Sequence, residues 1–213
     1  MSGTLIVIAK APRAGHSKTR LCPPCTPQQA AELAAAALGD TLDAVAAARA
    51  DRRLLVLDGA PGAWLADGFD VVPQVPGGLG DRLAAAFAHV DGPAFLVGMD
   101  TPQVAPADLE AGLRALRTCD AALGLAPDGG YWGIGLRRPQ PGAFDGVPMS
   151  EDDTGAAQLA RLDALGLHVA ELPQLRDVDT IDDAVAVAEQ APLTRFATAL
   201  AAIAPDLVSE RAA

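Results

Sequence analysis

Lys10, Arg13, Lys18 and Arg20 lie within eleven residues, in the run Lys10-Ala-Pro-Arg-Ala-Gly-His-Ser-Lys-Thr-Arg20. The chain carries 16 Lys and Arg against 27 Asp and Glu, a formal net charge of -11, so a quarter of its cations gather in one short stretch. Such crowding in an acidic protein points to an anion site. Phosphate is the anion whose several charged oxygens Lys, Arg and backbone N–H groups match together. Gly15 supplies the conformational freedom that brings backbone close to a phosphate. The spacing is not that of a Walker A loop. A merely solvated loop is the plainer alternative, and it gives no reason for glycine and cations to coincide after a strand.

Carboxylates form the second group. Phe95-Leu-Val-Gly-Met-Asp-Thr-Pro102 is an apolar strand that ends on Asp100. A carboxylate beside a polyphosphate site is a natural ligand for Mg²⁺ or Mn²⁺. Arg176-Asp-Val-Asp-Thr-Ile-Asp-Asp183 adds two more acids. We expect one of them to face the ligand, and assign Asp179 ahead of Asp177 as the second metal carboxylate. Thr180 reads as a helix N-cap, with Asp182 and Asp183 in the first turn.

Two Gly-rich turns follow, Gly77-Gly-Leu-Gly-Asp-Arg82 and Asp128-Gly-Gly-Tyr-Trp-Gly133. Turn chemistry accounts for both, and Asp-Gly-Gly is a hairpin signal. Ser150-Glu-Asp-Asp-Thr154 reads as a helix start, with Asp153 or Thr154 available to line a pocket. Cys22-Pro-Pro-Cys25 has no second Cys pair and is not read as a redox or zinc site. His89 and His168 have no neighbouring nucleophile, so a catalytic triad lacks support.

These residues need a scaffold. Short apolar runs at 5–9, 54–57, 70–72, 94–98, 121–125, 132–136 and 168–172 read as strands. Helical patterns at 27–48, 79–89, 107–116, 154–165 and 181–189 alternate with them. Thr26-Pro27-Gln28-Gln29 has the form of a capping box. The alternation predicts an α/β fold, its mostly parallel sheet covered on both faces. Segment 126–148, rich in Gly and Pro, breaks the pattern and reads as an inserted acceptor pocket. We expect one domain over 1–190 and a helical tail over 191–213. No signal peptide or membrane span is legible, and three cysteines suit a reducing, cytoplasmic setting. The acidic balance argues against nucleic acid as a partner.

Five ordered motifs carry a resemblance: the Lys10–Leu21 loop, Gly78-Leu-Gly-Asp-Arg-Leu83, Gly98-Met-Asp-Thr-Pro102, Asp128-Gly-Gly-Tyr131 and Asp177-Val-Asp-Thr180. Together they resemble the bacterial arsenosugar-biosynthesis-type glycosyltransferases of the nucleotide-diphospho-sugar transferase superfamily. More distantly, the chain is similar to 2-phospho-L-lactate guanylyltransferase and the molybdenum-cofactor guanylyltransferases. The resemblance implies a GT-A-like three-layer α/β/α sandwich with a mostly parallel mixed sheet. By the same resemblance Gly15, Lys18 and Arg20 hold phosphates, with Lys10 and Arg13 beside them. The Gly78, Leu79 and Gly80 turn contacts base or ribose, while Arg82, read from the turn itself, is placed to reach a phosphate. Asp100 and Asp179 bind Mg²⁺ or Mn²⁺, while Asp128, Gly129, Gly130 and Tyr131 face the acceptor, whose pocket Thr154 is also read to line from its place in the acidic run.

Two chemistries share that fold. Nucleotidylyl transfer collects charge on phosphoryl oxygens, which Lys18 and a metal on Asp100 would stabilise as the catalytic pair. Glycosyl transfer instead displaces a nucleoside diphosphate from a sugar carbon. The cation-heavy loop favours nucleotidylyl transfer to a small phosphorylated acceptor. Glycosyl transfer and a non-catalytic nucleotide-binding protein are the alternatives. The expected partners are a nucleotide or nucleotide sugar and a small molecule.

Overall fold

The computed structural model describes residues 3–205, so 206–213 of the expected tail lie outside the described residues. In chain order the elements are β1 (Thr4–Lys10), α1 (Pro27–Ala47), β2 (Arg52–Asp58), β3 (Asp70–Pro73), α2 (Leu79–Phe87), β4 (Ala94–Val97) and α3 (Pro106–Ala115). There follow β5 (Ala121–Leu125), β6 (Tyr131–Leu136), α4 (Thr154–Ala164), β7 (Val169–Leu172), α5 (Ile181–Gln190) and α6 (Arg195–Ile203). The predicted capping box forms at α1, where Thr26 accepts from the Gln29 N–H and Gln29 reaches back to the Thr26 N–H. Thr180 caps α5 in the same way with Asp183.

The strands form one sheet in the order β3-β2-β1-β4-β6-β5-β7. β1 lies parallel to β2 and β4, β2 to β3, and β5 to β7. β6 alone among the described strands runs the other way, antiparallel to both β4 and β5. The break expected over 126–148 begins as that β5–β6 hairpin.

Alternation along β1 builds the two outer layers. Leu5, Val7 and Ala9 pack with Leu38 and Leu42 of α1 and Leu109 and Leu113 of α3. Ile6 faces the other way, toward Leu83 and Phe87 of α2 and Leu162 of α4. Burying one such aliphatic side chain contributes about 1.5–3 kcal/mol. A third cluster joins the outer side of α1 to α5 and α6 through Leu33, Phe196 and Leu200. It also takes in Leu21 and Val178, the apolar anchors of the two site-bearing loops. α6 is fixed further by Asp40, which accepts from the Arg195 and Phe196 N–H groups.

Phe95 on β4 is fully buried between three glycines. A Cβ at Gly112, Gly133 or Gly135 would come within 2.5, 2.6 or 2.9 Å of its ring. Overpacking of this kind costs about 1–3 kcal/mol. Gly112→Ala is expected to lower the melting temperature by roughly 2–10 °C in a calorimetric scan. An unchanged transition would show that the ring has room to move.

Candidate active site

Parallel strands deliver their following loops to one edge of the sheet, where open α/β folds hold ligands. β1 runs parallel to β4 with Val7 opposite Val97 and continues to Lys10, whose N–H donates to Met99 Sδ at 3.4 Å, so the cationic loop leaves beside the Gly98-Met99-Asp100 turn. Ser17 Oγ accepts from the Arg13 N–H at 3.0 Å, and the His16 and Ser17 N–H groups donate to the Arg13 carbonyl. That curl brings Lys18 down into the site, in a left-handed conformation (φ 50°, ψ 41°), just before a 3-10 turn over Thr19–Leu21.

The Lys18 ammonium lies 2.6 Å from Asp100 Oδ1 and 3.5 Å from Asp179 Oδ1, and it donates to the Val178 carbonyl. Arg20 pairs with the other oxygen of Asp179 at 3.0 Å. The Val178 N–H donates to the Asp100 carbonyl at 2.8 Å, and Gln103 Nε2 donates to the Arg176 carbonyl at 2.6 Å. Segment 176–179 is thus stapled to the loop that carries Asp100. Burial acts to lower the Lys18 pKa, but Asp100 and then Asp179 and Asp177 outweigh it, and the net direction is upward.

Asp177 and Asp179 both enter the cluster, which corrects the expectation that one would turn away. Side chains two apart in an extended segment share a face, and here it is the intervening Val178 that is buried in the apolar core. With Asp128 the pair forms a triad whose carboxylate oxygens lie within 4.8 Å of one another. Burial, then the charges of Asp128, Asp179 and Asp100, push the Asp177 carboxyl up to about 6. The folded protein therefore holds this proton between roughly pH 4 and 6, where the unfolded chain has released it. Ionised Asp177 costs stability above that window and none below it. Without added metal, Asp177→Asn is expected to raise the melting temperature by a few degrees at pH 7.5 and to leave it unchanged at pH 4.

A cleft of about 840 Å³ joins these groups. Lys10, Lys18, Arg20, Leu79 and Arg82 line it, as do Asp100, Asp179, Asp128, Gly130, Tyr131 and Thr154. Two members of the predicted set carry structural duties there. The Arg82 guanidinium donates to the Gly77 carbonyl and to Gln74 Oε1 and pairs with Asp58 at 3.6 Å, so it clamps the glycine turn. The Thr154 hydroxyl lies 2.8 Å from both the Pro148 and Glu151 carbonyls and accepts from the Glu151 N–H. Tyr131 donates to Gln158 Oε1 at 3.4 Å, and burial pushes its hydroxyl pKa up.

Five predicted residues fall outside that cleft. The curl of the loop turns Arg13 and Gly15 away, and Arg13 lies against Gly59 at the end of β2. Gly78 and Gly80 line a neighbouring hollow of about 420 Å³ against Phe144 and Met149. Gly129 lies under the cleft wall: its carbonyl accepts from the Gly155 N–H at 2.7 Å, locking the hairpin to the start of α4. Other lining residues were not singled out from sequence, among them Gln74, Met99, Trp132, Ser150, Glu151 and Asp152. Gln74 ties the ends of β1 and β2 by donating to the Ala9 and Val56 carbonyls. A glutamine between Pro73 and Val75 gives no local sign of that role. The acidic run at 150–154 was the available signal for the last three.

Comparison with known proteins gives the family and the fold. Residues 26–151 match the family described as "Uncharacterized protein conserved in bacteria (DUF2064)". A phosphoenolpyruvate guanylyltransferase of Conexibacter woesei is 35% identical over 170 residues, spanning 74% of this chain and 75% of that protein. A crystal structure from Desulfovibrio desulfuricans G20, assigned as a nucleotide-diphospho-sugar transferase, superposes with a TM-score of 0.86 at 27% identity, covering 99% of this chain and 98% of that one. A Mycobacterium tuberculosis H37Rv protein, solved in complex with manganese, aligns at 25% identity and a TM-score of 0.55 over 89% of this chain and all of its own. No helix among the described residues is long and apolar enough to cross a membrane. With an α/β fold of the nucleotide-diphospho-sugar transferase and nucleotidyltransferase kind, the chain belongs to the DUF2064 family, is homologous to the phosphoenolpyruvate guanylyltransferases, and is a transferase.

Proposed function

We propose that this protein moves a nucleotidyl group from a nucleoside triphosphate, GTP by analogy with its guanylyltransferase relatives, to a small phosphorylated acceptor, in a reaction dependent on a divalent cation. The observation that carries this reading is the meeting of Lys18 with Asp100 and Asp179, in a cleft that also takes in Leu79 and the Asp128–Tyr131 hairpin. An acceptor oxygen attacks the α-phosphorus, the bond to the β-phosphate oxygen breaks, and pyrophosphate leaves.

The carboxylates suit a hard divalent ion. Asp128, Asp177 and Asp179 converge through oxygen alone, and burial first, then the neighbouring carboxylates, raise the Asp177 carboxyl. Asp100, Asp177 and Asp179, with Asp128, are the residues that would hold Mg²⁺ or Mn²⁺; the manganese complex of the mycobacterial neighbour supports that choice. Bound there, such an ion supplies Lewis-acid neutralisation of phosphate charge. Lys10 and Lys18 add cations from the loop. Arg82 and Gln74 hold the glycine turn that would receive the nucleoside. Tyr131, Met149 and Thr154 wall the acceptor half of the cleft and keep water from the reacting phosphorus.

Sugar transfer from a nucleotide-diphospho-sugar to a small acceptor is the second reading, supported by the near full-length match to the Desulfovibrio structure. Incubation with GTP, phosphoenolpyruvate and Mg²⁺ or Mn²⁺ tests the first reading by pyrophosphate release, with the other nucleoside triphosphates as parallel arms. Release of nucleoside diphosphate from nucleotide sugars, with no pyrophosphate from any triphosphate, would replace it with the second. Metal-dependent nucleotide binding with no product from either donor class would make the protein a nucleotide-binding one.

A further inference from the structure

We infer that the Lys18 ammonium is a resident counter-ion of the metal cluster. It fills coordination space in the cation-free protein, and a divalent ion takes its place and releases it toward the nucleotide phosphates. The inference rests on the reading of the carboxylates as a metal site, and goes beyond it by making Lys18 a competitor for that site as well as a phosphate ligand.

Three observations carry it. First, the ammonium is surrounded by oxygen alone: Asp100 Oδ1 at 2.6 Å, Asp179 Oδ1 at 3.5 Å and the Val178 carbonyl. Two carboxylates and a carbonyl are donors that a hard divalent ion takes, so one volume serves either cation. Second, the side chain is 9% exposed although it carries a charge, and the left-handed backbone at Lys18 directs it inward instead of toward the mouth of the cleft. Third, the cluster is undercharged. Lys18 and the exposed Arg20 face Asp100, Asp128, Asp177 and Asp179, and Asp128 and Asp177 join no ion pair among the described residues. A divalent ion brings the charge that the single ammonium lacks. The flexible four-carbon stem lets that ammonium leave without moving the backbone, and the nearest anions it could then meet are the phosphates of a bound nucleotide.

Competition fixes the sign of the test. Calorimetric titration with Mn²⁺ alone, without nucleotide, is run on the wild type, Lys18→Met, Lys18→Gln and Arg20→Gln. Both Lys18 variants are expected to bind Mn²⁺ about tenfold or more tightly than the wild type, because the resident cation is gone. Arg20→Gln removes the same charge from an exposed side chain outside the oxygen cage, and is expected to change affinity less than about threefold. Displacement also links the two ligands. GTP is expected to raise the Mn²⁺ affinity of the wild type by roughly tenfold, and that coupling to shrink in both Lys18 variants.

Circular dichroism confirms the fold of each variant, and Lys18→Gln keeps a hydrogen-bond donor should Lys18→Met disturb the loop. Equal or weaker Mn²⁺ binding by the folded Lys18 variants would overturn the inference, as would an Arg20→Gln gain as large as theirs. Absence of Mn²⁺ binding in every protein, with or without GTP, would instead remove the metal reading itself and this inference with it.

Discussion

Asp100→Asn is expected to lower the rate of pyrophosphate release by about 10³-fold or more while the protein stays folded. The side chain holds Lys18 at 2.6 Å, and its backbone carbonyl anchors Val178, so one residue joins the cation loop to segment 176–179. The amide keeps the shape and the backbone bond but removes the charge. A loss of 10³ corresponds to about 4 kcal/mol of transition-state stabilisation, far above what an exposed ion pair supplies. The side chain is 39% exposed and Lys18 retains Asp179 and the Val178 carbonyl, so the stability cost is expected to stay near 1–2 kcal/mol. Steady-state kinetics on the purified variant, with its melting curve alongside, separates the two effects. Activity within tenfold of the wild type would exclude Asp100 from the reaction.

Gly129→Ala should damage both stability and turnover. The backbone there has φ 91°, which an L-residue with a side chain rarely adopts, and an added Cβ would fall inside van der Waals contact of the Asp152 carbonyl. Backbone strain of this type costs about 1–3 kcal/mol, and the clash adds to it. The melting temperature is expected to fall by roughly 5–12 °C. Because Asp128 and Gly130 flank the clamp to α4, activity should drop by at least about tenfold. Gly130→Ala is the control: its Cβ would meet only the Asp128 carboxylate, at 3.2 Å, and a side chain can give way. Equal effects from both substitutions would show that the clamp at Gly129 is not what holds the hairpin.

The elements were legible because their signals are local. The β-branched run of β1, the Thr26 capping box and the apolar stripes of the helices each announce themselves within a few residues. So did Asp100, in the turn just beyond a buried strand, at the edge where ligands collect. The partnerships were less legible. Loop 10–20 reads as a phosphate cradle because sequence shows its charge but not its counter-charges, which arrive from residues about 80 and 160 positions away. Arg13 and Gly15 looked equivalent to Lys18 until the curl set by Ser17 sorted inward from outward. Gly129 signalled a turn correctly, and nothing nearby in sequence shows that Asp152 closes over it.

β6, the one reversed strand among those described, bears on how such enzymes diversify. Because it runs against its neighbours, its beginning faces the same rim as their ends, and the chain from the Asp128 hairpin to the start of α4 forms one wall of the cavity as a single excursion. The cation loop, Asp100 and the Asp177–Asp179 segment come from elsewhere in the polypeptide. On the proposed function, exchanging that excursion as a cassette around a retained Asp128 changes the second substrate while the cation loop, Asp100 and the Asp177–Asp179 segment stay in place.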